Sequence, residues 1–332
     1  MVQVFLTVDS EVWPATPAAF VTPGAPFDLA PAVSAYFDGH TRSGDFGVPF
    51  QLDLLREHGL RATFFVEPLF SLLAGGRDAL ARMVTLIQSA GQDVQVHAHT
   101  EWLSLVAEPG LPRAGHSVVR RYPEAEQAAI IRRASALLRE AGATRLRAFR
   151  AGGYGADLAT LRALASCGVA MDTSLNVPYL GGPCDIRTEG PALQPFDLGG
   201  TLEVPITYFE DWPGHHRPLQ LGACSSWEIE AALWGAARAD WRAAVLVFHS
   251  VELLKRVPDM ALTGVTRPER VVVRRFERLC RFLARHRDTF ATATFGSVDE
   301  SGLRGPQPRA GLRSHVGRTA WRYAEQLASR LG

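Results

Sequence analysis

The sequence is short of cysteine, of net charge and of long apolar runs, and each shortage removes a class of protein. Cys167, Cys184, Cys224 and Cys280 are its four cysteines and lie far apart with no C-x-x-C pair. Neither a disulfide scaffold nor a cysteine-held metal knot is expected, and each thiol packs as a small apolar residue. Basic residues number 35 against 34 acidic ones, a formal charge of +1, with no dense Lys/Arg stripe. That balance excludes nucleic acid as a partner, because phosphate-backbone binding needs many neutralising contacts. No segment approaches the roughly 18 uninterrupted apolar residues of an integral membrane span. The opening MVQVFLTVDSEVWP has no basic region ahead of its short apolar stretch, so a soluble, cytoplasmic chain is expected.

What is present is ordinary globular composition, 47% apolar and 21% charged in 332 residues. That length suits about two domains of roughly 150 residues, or one α/β barrel of ~250 with a modest remainder. Short apolar runs alternate with segments of helical period, the pattern of parallel β/α units. Strands are expected at Val2–Val8, Ala62–Glu67, Asp93–His97, Leu146–Arg150, Val169–Asp172, Leu202–Ile206, Ala244–Phe248 and Ala291–Phe295. Helices fall at Pro49–His58, Asp78–Ala90, Glu124–Ala141, Leu158–Ser166, Ser226–Ala237 and Pro268–Arg285. Glycines stand at the ends of the first four, where a C-cap needs left-handed backbone. The fold class is α/β, a distorted (β/α)7-8 barrel over residues 1–296. Residues 297–332 read as a polar linker and a basic amphipathic helix, Val316–Leu331, docked on the barrel exterior. Residues 13–47 and 176–200 read as long loops of the binding face.

The polar residues that need explaining sit at the C-terminal ends of the proposed strands, where an α/β barrel builds its site. Side chains alternate along a strand, so Asp9 and Glu11 point the same way and place two carboxylates at one rim. His97, His99 and Glu101 share one face if the strand continues, and imidazoles at i and i+2 can close on one divalent ion. With a carboxylate from the first strand they form a His/His/carboxylate set that leaves a coordination position open for water. Arg150 is a permanent cation able to pair with a buried carboxylate. Gly152, Gly153 and Gly155 let backbone N–H groups approach a substrate oxygen, although a plain turn explains them nearly as well. Asp172 and His249, at neighbouring rims, are the parts of an oriented acid–base pair, or separately an N-cap and a packed histidine. The rim aromatics Trp13, Trp102, Tyr154, Tyr179, Tyr208 and Trp212 are candidates for stacking on sugar rings. His215-His216 reads as an exposed loop dyad.

This ordered set resembles the polysaccharide deacetylase family, the carbohydrate esterases with a NodB-like domain, over about residues 2–295. Thr7-Val8-Asp9-Ser10-Glu11 is similar to its T-F-D-D-G motif, Ala62–Val66 to its A-T-F-F-V strand, and His97-Ala98-His99 to its histidine pair. Arg150 through Tyr154 resembles the arginine–turn–tyrosine motif, Asp172-Thr173-Ser174 the fourth motif, and Val247-Phe248-His249 the L-x-H. The chain departs from the pattern in three places. Ser10 stands where the second aspartate is usual, the histidines are two apart instead of four, and Arg150 is one residue farther from Tyr154.

The resemblance implies Asp9 as general base, Arg150 as its electrostatic partner and His249 as general acid oriented by Asp172. It implies a divalent metal, Zn2+ on ligand softness, on His97 and His99 with Glu11 in place of the missing aspartate. Gly153 and Tyr154 would supply oxyanion donors; of the rim aromatics, Trp102 is read as a substrate contact. The activity implied is removal of an acetyl group, N-acetyl before O-acetyl, from a sugar or polysaccharide. A related C–N hydrolase acting on a small amide or ureide, with or without metal, is one alternative; a non-catalytic glycan-binding barrel is another.

Overall fold

The computed structural model describes residues 1–14, 20, 28–113, 115–255 and 267–331. Strands buried on both faces favour a parallel sheet covered by helices. The main strands are β1 (Val2–Ser10), β2 (Ala62–Val66), β3 (Asp93–Ala98), β4 (Ala148–Ala151), β5 (Met171–Asp172), β6 (Phe196–Leu198), β7 (Thr201–Glu203), β10 (Ala243–His249) and β11 (Phe290–Thr292). They form one sheet in the order β10-β1-β2-β3-β4-β5-β7-β6, with β11 also paired to β1. Only the β6–β7 pair is antiparallel. Its turn is Gly199-Gly200, with φ of 60° and 90°, the positive values that a two-residue hairpin demands and glycine supplies.

The sheet curls into a distorted barrel, as the sequence pattern implied. Its last gap, between β7 and β10, is closed by loop segments. The Thr207 amide donates to Val245 O (3.2 Å) and the Leu221 amide to Val247 O (3.1 Å), while the Val247 amide donates to Leu219 O (3.0 Å). Phe5, Phe65 and Phe295 fill the interior, with ring centroids 4.8 and 5.5 Å apart. Around the outside run α2 (Val48–Glu57), α3 (Gly76–Ser89), α4 (Glu124–Glu140), α5 (Leu158–Ser166), α6 (Ser226–Arg238) and α7 (Arg270–Arg285); α1 (Leu29–Val33) precedes them. Two starts are written in the sequence as capping boxes, Asp157 with Thr160 for α5 and Ser225 with Glu228 for α6.

Three expectations need correction. The proposed loop 176–200 ends in β6, whose signal was the Gly-Gly pair between two short strands. The proposed strand Leu202–Ile206 ends at Glu203. Residues after it turn into a second sheet, the hairpin β8 (Tyr208–Trp212) and β9 (His215–Pro218) joined by β12 (Leu312–Arg313). The stretch read as polar linker also contains the short helix α8 (Glu300–Leu303). Part of the proposed loop 13–47 lies outside the described residues.

Helix α9 (Val316–Leu331) packs on β8, α6 and α7. Arg322, fully buried, donates to Asp211 Oδ2 (3.0 Å) and pairs with Glu228 Oε1 (3.3 Å). A buried cation without such partners would be strongly destabilising, so these carboxylates fix where the helix docks.

Candidate active site

Strand register decides which side chains meet. Asp9 on β1 is level with His249 on β10, and His97 on β3 is level with Arg150 on β4. All four lie at the C-terminal rim.

Glu11, His97 and His99 converge there, their ligand atoms all within 4.8 Å of one another. Glu11 Oε1 lies 3.0 Å from Nε2 of both imidazoles, and the Trp13 indole N–H donates to Glu11 Oε2 at 2.6 Å. On the far side of His97, Nδ1 is 2.8 Å from the Arg150 carbonyl. A carbonyl only accepts, so Nδ1 carries the proton, and in the neutral ring Nε2 turns its lone pair toward Glu11. A lone pair facing a carboxylate at 3.0 Å needs a cation between them, a proton or a metal ion. His99 is held in the same way, with Nδ1 3.3 Å from Glu101 Oε2. Carbonyl–His and carboxylate–His arrangements of this kind orient metal ligands. Burial would raise the Glu11 carboxyl, but the charge of His99 and the two imidazole bonds hold it well below the usual range. Burial would lower His99, but Glu11 and Glu101 hold it well above. Gly152 makes room: a Cβ there would stand 2.7 Å from both His99 Nδ1 and the Ala98 carbonyl oxygen.

Beside this triangle stands a buried ion pair. Arg150 donates Nη1 to Asp9 Oδ1 (2.6 Å), Nη2 to Thr7 Oγ1 (3.0 Å) and Nε to the Thr173 carbonyl (3.2 Å). Its guanidinium also lies over the Phe65 ring, 4.3 Å from the centroid. Asp9 Oδ2 is 4.0 Å from His249 Nε2.

The carboxylate that holds His249 is not Asp172. His249 Nδ1 meets Glu252 Oε1 at 2.9 Å, in the 3-10 turn Ser250–Leu253 that follows β10. Burial opposes protonation of His249, but the Glu252 bond and the charges of Glu11, Glu252 and Asp9 push it up to about 10. Asp172 instead accepts from the amide and hydroxyl of Ser174, and Ser174 Oγ accepts from the Ala151 amide. It faces Glu203 across the β5–β7 register; burial and the repulsion of Asp172 hold Glu203 well above the carboxylate range. The two sit behind Arg150 and brace β4. Glu252 escaped the sequence reading because it lies three residues past a strand end on an irregular turn, where neither period applies. Glu203 had a signal, an acid in a strand next to Asp172. Glu67, fully buried, is a third acid that was missed; burial pushes it up to about 8 against bonds from the Leu69 and Phe70 amides.

Gly153 and Tyr154 are successive left-handed residues, φ 56° and 59°. That backbone is costly for tyrosine and turns the ring inward, where it is buried with no hydrogen-bond partner for its hydroxyl. Trp102 is fully buried too, packed against Trp13, Phe20 and Phe70. It cannot stack on a substrate ring and serves as the floor under Trp13, which lies edge-on to His99 at 4.5 Å. Of the other rim aromatics Tyr179 and Trp212 are exposed and Tyr208 is buried. His215 of the loop dyad pairs with Asp211 at 2.5 Å.

The family model described as polysaccharide deacetylase matches residues 31–171. That span includes His97, His99 and Arg150 through Tyr154; Asp9, Glu11, Asp172 and His249 lie outside it. No curated protein matches the sequence. Among solved structures, the chain is similar to a family 4 carbohydrate esterase from Streptomyces lividans in complex with acetate. The two are 14% identical over 92% of this chain and 97% of that one, with a TM-score of 0.40. It is also similar to a candidate polysaccharide deacetylase from Mycobacterium smegmatis, 17% identical over 90% and 94% of the two chains, TM-score 0.48. A 4-alpha-glucanotransferase from Thermococcus litoralis is 10% identical over 94% of this chain and 41% of that one, TM-score 0.50; that likeness is one of fold alone. The match over residues 31–171 and the ordered motifs at the strand ends agree: this stretch of the chain is similar to the polysaccharide deacetylase domain, and the chain shares the fold of those enzymes.

Proposed function

We propose that this protein removes acetyl groups from the amide nitrogen of a sugar or polysaccharide, with a divalent cation, Zn2+ on ligand softness, as cofactor. The observation that carries the reading is the Glu11/His97/His99 triangle standing beside two further charged pairs, Asp9–Arg150 and His249–Glu252, on one rim. Glu11, His97 and His99 would hold the cation, two nitrogens and one oxygen being the donor set of hydrolytic zinc sites. When bound, it supplies Lewis acidity toward the acetyl carbonyl and acidity to water.

Asp9, fixed by Arg150, takes the proton of the attacking water as general base. The amides of Gly153 and Tyr154 are the oxyanion donors. His249, kept protonated by Glu252, gives its proton to the departing nitrogen. That step supports N-acetyl over O-acetyl substrates, because an amine anion is a far poorer leaving group than an alkoxide. The four free thiols support work on a glycan precursor in a reducing compartment such as the cytoplasm. The test is acetate release from N-acetylated and O-acetylated oligosaccharides, before and after chelation and after Zn2+ is restored. Turnover of the N-acetylated series, lost on chelation and regained with metal, is expected. Full turnover by the chelated protein would remove the cation from the reading, and faster release from O-acetyl groups would reverse the substrate.

A further inference from the structure

Behind His249 runs a line of contacts that the proposed chemistry does not use, and it ends on the C-terminal helix. Glu252 is held from its far side by the loop that closes the barrel. Gln220 Nε2 donates to Oε1 (2.6 Å) and the Gly222 amide donates to Oε2 (2.8 Å). The approach is close enough that a Cβ on Gly222 would stand 2.5 Å from Glu252 Oε2. The carbonyl of the same Gly222 accepts from Arg275 Nη1 of α7 at 3.0 Å. Arg275, nearly fully buried, turns its other arm to α9, donating Nη2 to Glu325 Oε2 at 2.7 Å. A guanidinium presents its donors in a rigid fork, so Glu325 sets the angle at which Arg275 meets the loop carbonyl. Gly222, bonded through its C=O to Arg275 and through its N–H to Glu252, passes that placement across one residue to Glu252.

We infer that Arg275 and Glu325 are positioning residues for the His249–Glu252 pair, and that α9 is a working part of the active site. The role rests on His249 being the proton donor of the proposed deacetylation, but the coupling itself does not. The charged groups facing His249 are Asp9 of β1, Glu11 just past it and Glu252 of its own segment, and the relay variants leave all three in place.

The experiment compares wild type with Glu325→Gln, Arg275→Lys and Trp321→Ala. Trp321 is on the same helix, half exposed and stacked on Trp227, and has no place in the relay. Each protein is read by kcat and KM on an N-acetylated oligosaccharide and, after chelation, by the imidazole 15N resonances of His249. Losing an outer partner of an oriented histidine costs about tenfold or more in activity. Glu325→Gln and Arg275→Lys are therefore expected to lower kcat by about that factor, leave KM within about twofold and move the His249 resonances. Trp321→Ala is expected to change neither. Glu325 is partly exposed and glutamine keeps an oxygen to accept from Arg275 Nη2, so this variant is expected to fold even if Arg275→Lys does not. Unmoved resonances in a folded Glu325→Gln protein overturn the proposal whatever the activity. Moved resonances in a protein whose wild type turns over no acetylated sugar overturn the proposed function and leave the coupling standing.

Discussion

At the scale of single residues, two substitutions separate chemistry from architecture. Asp9→Asn keeps the size of the side chain and a hydrogen bond for Arg150 but removes the proposed base. General acid–base steps contribute about 10²–10⁴-fold, so acetate release is expected to fall by at least about a hundredfold while the far-UV spectrum is kept. Near-normal turnover would assign the base elsewhere. Gly152→Ala asks whether the triangle depends on its neighbour's missing side chain. The added methyl meets the His99 ring and the Ala98 carbonyl, so His99 must swing away from Glu11. The expected result is metal affinity weakened by roughly 10–100-fold, read by competition with a chromophoric chelator, with a smaller change in thermal midpoint. Unchanged affinity would mean that His99 is not a ligand.

At the scale of elements, the ends of the strands were legible and the turns behind them were not. A buried parallel strand announces itself by an apolar run, and whatever polar residue closes the run is at the rim; Asp9, His97, Arg150 and His249 were found that way. The partners that orient them are set by tertiary contact. The bond of Glu252 to His249 and the hold of Gly222 on Glu252 depend on where two loops happen to cross, and no period in the sequence encodes a crossing. Glu67 is a different case: it closes the apolar run of β2, and its bonds to the 3-10 turn Leu69–Leu72 are a local cap two and three residues ahead, so its position was legible and its role was not. That cap has a pH signature. In the folded protein Glu67 keeps its proton to about pH 8, against a reference value of 4.5. Between those values the folded state binds the extra proton, so its stability falls as pH rises. In chelated protein, Glu67→Gln is expected to gain on wild type in thermal midpoint steadily from pH 5 to pH 8. Parallel curves for the two proteins would show that the group titrates normally.

At the scale of the whole molecule, the proposed cation, held by Glu11 just past β1 and by the histidines at the end of β3, would tie together parts of the chain some 86 residues apart. Such an ion would bind the folded state alone, so it would add stability that grows with its concentration, about 2.7 kcal/mol at a hundredfold excess over the dissociation constant. The thermal midpoint is expected to fall on chelation and to rise again with Zn2+. His97→Ala should show neither change; the same response in that variant would place the metal somewhere else. The last consequence concerns the seam between β7 and β10, where the wall of the barrel is completed by loop and not by strand. A cylinder with one unstitched side opens along that side first. Deuterium should therefore enter the amides of Thr207, Leu219 and Leu221 well before those of Val4 to Val8, and His249, the proposed proton donor, hung on the edge of that side, would be the part of the proposed site most easily let go.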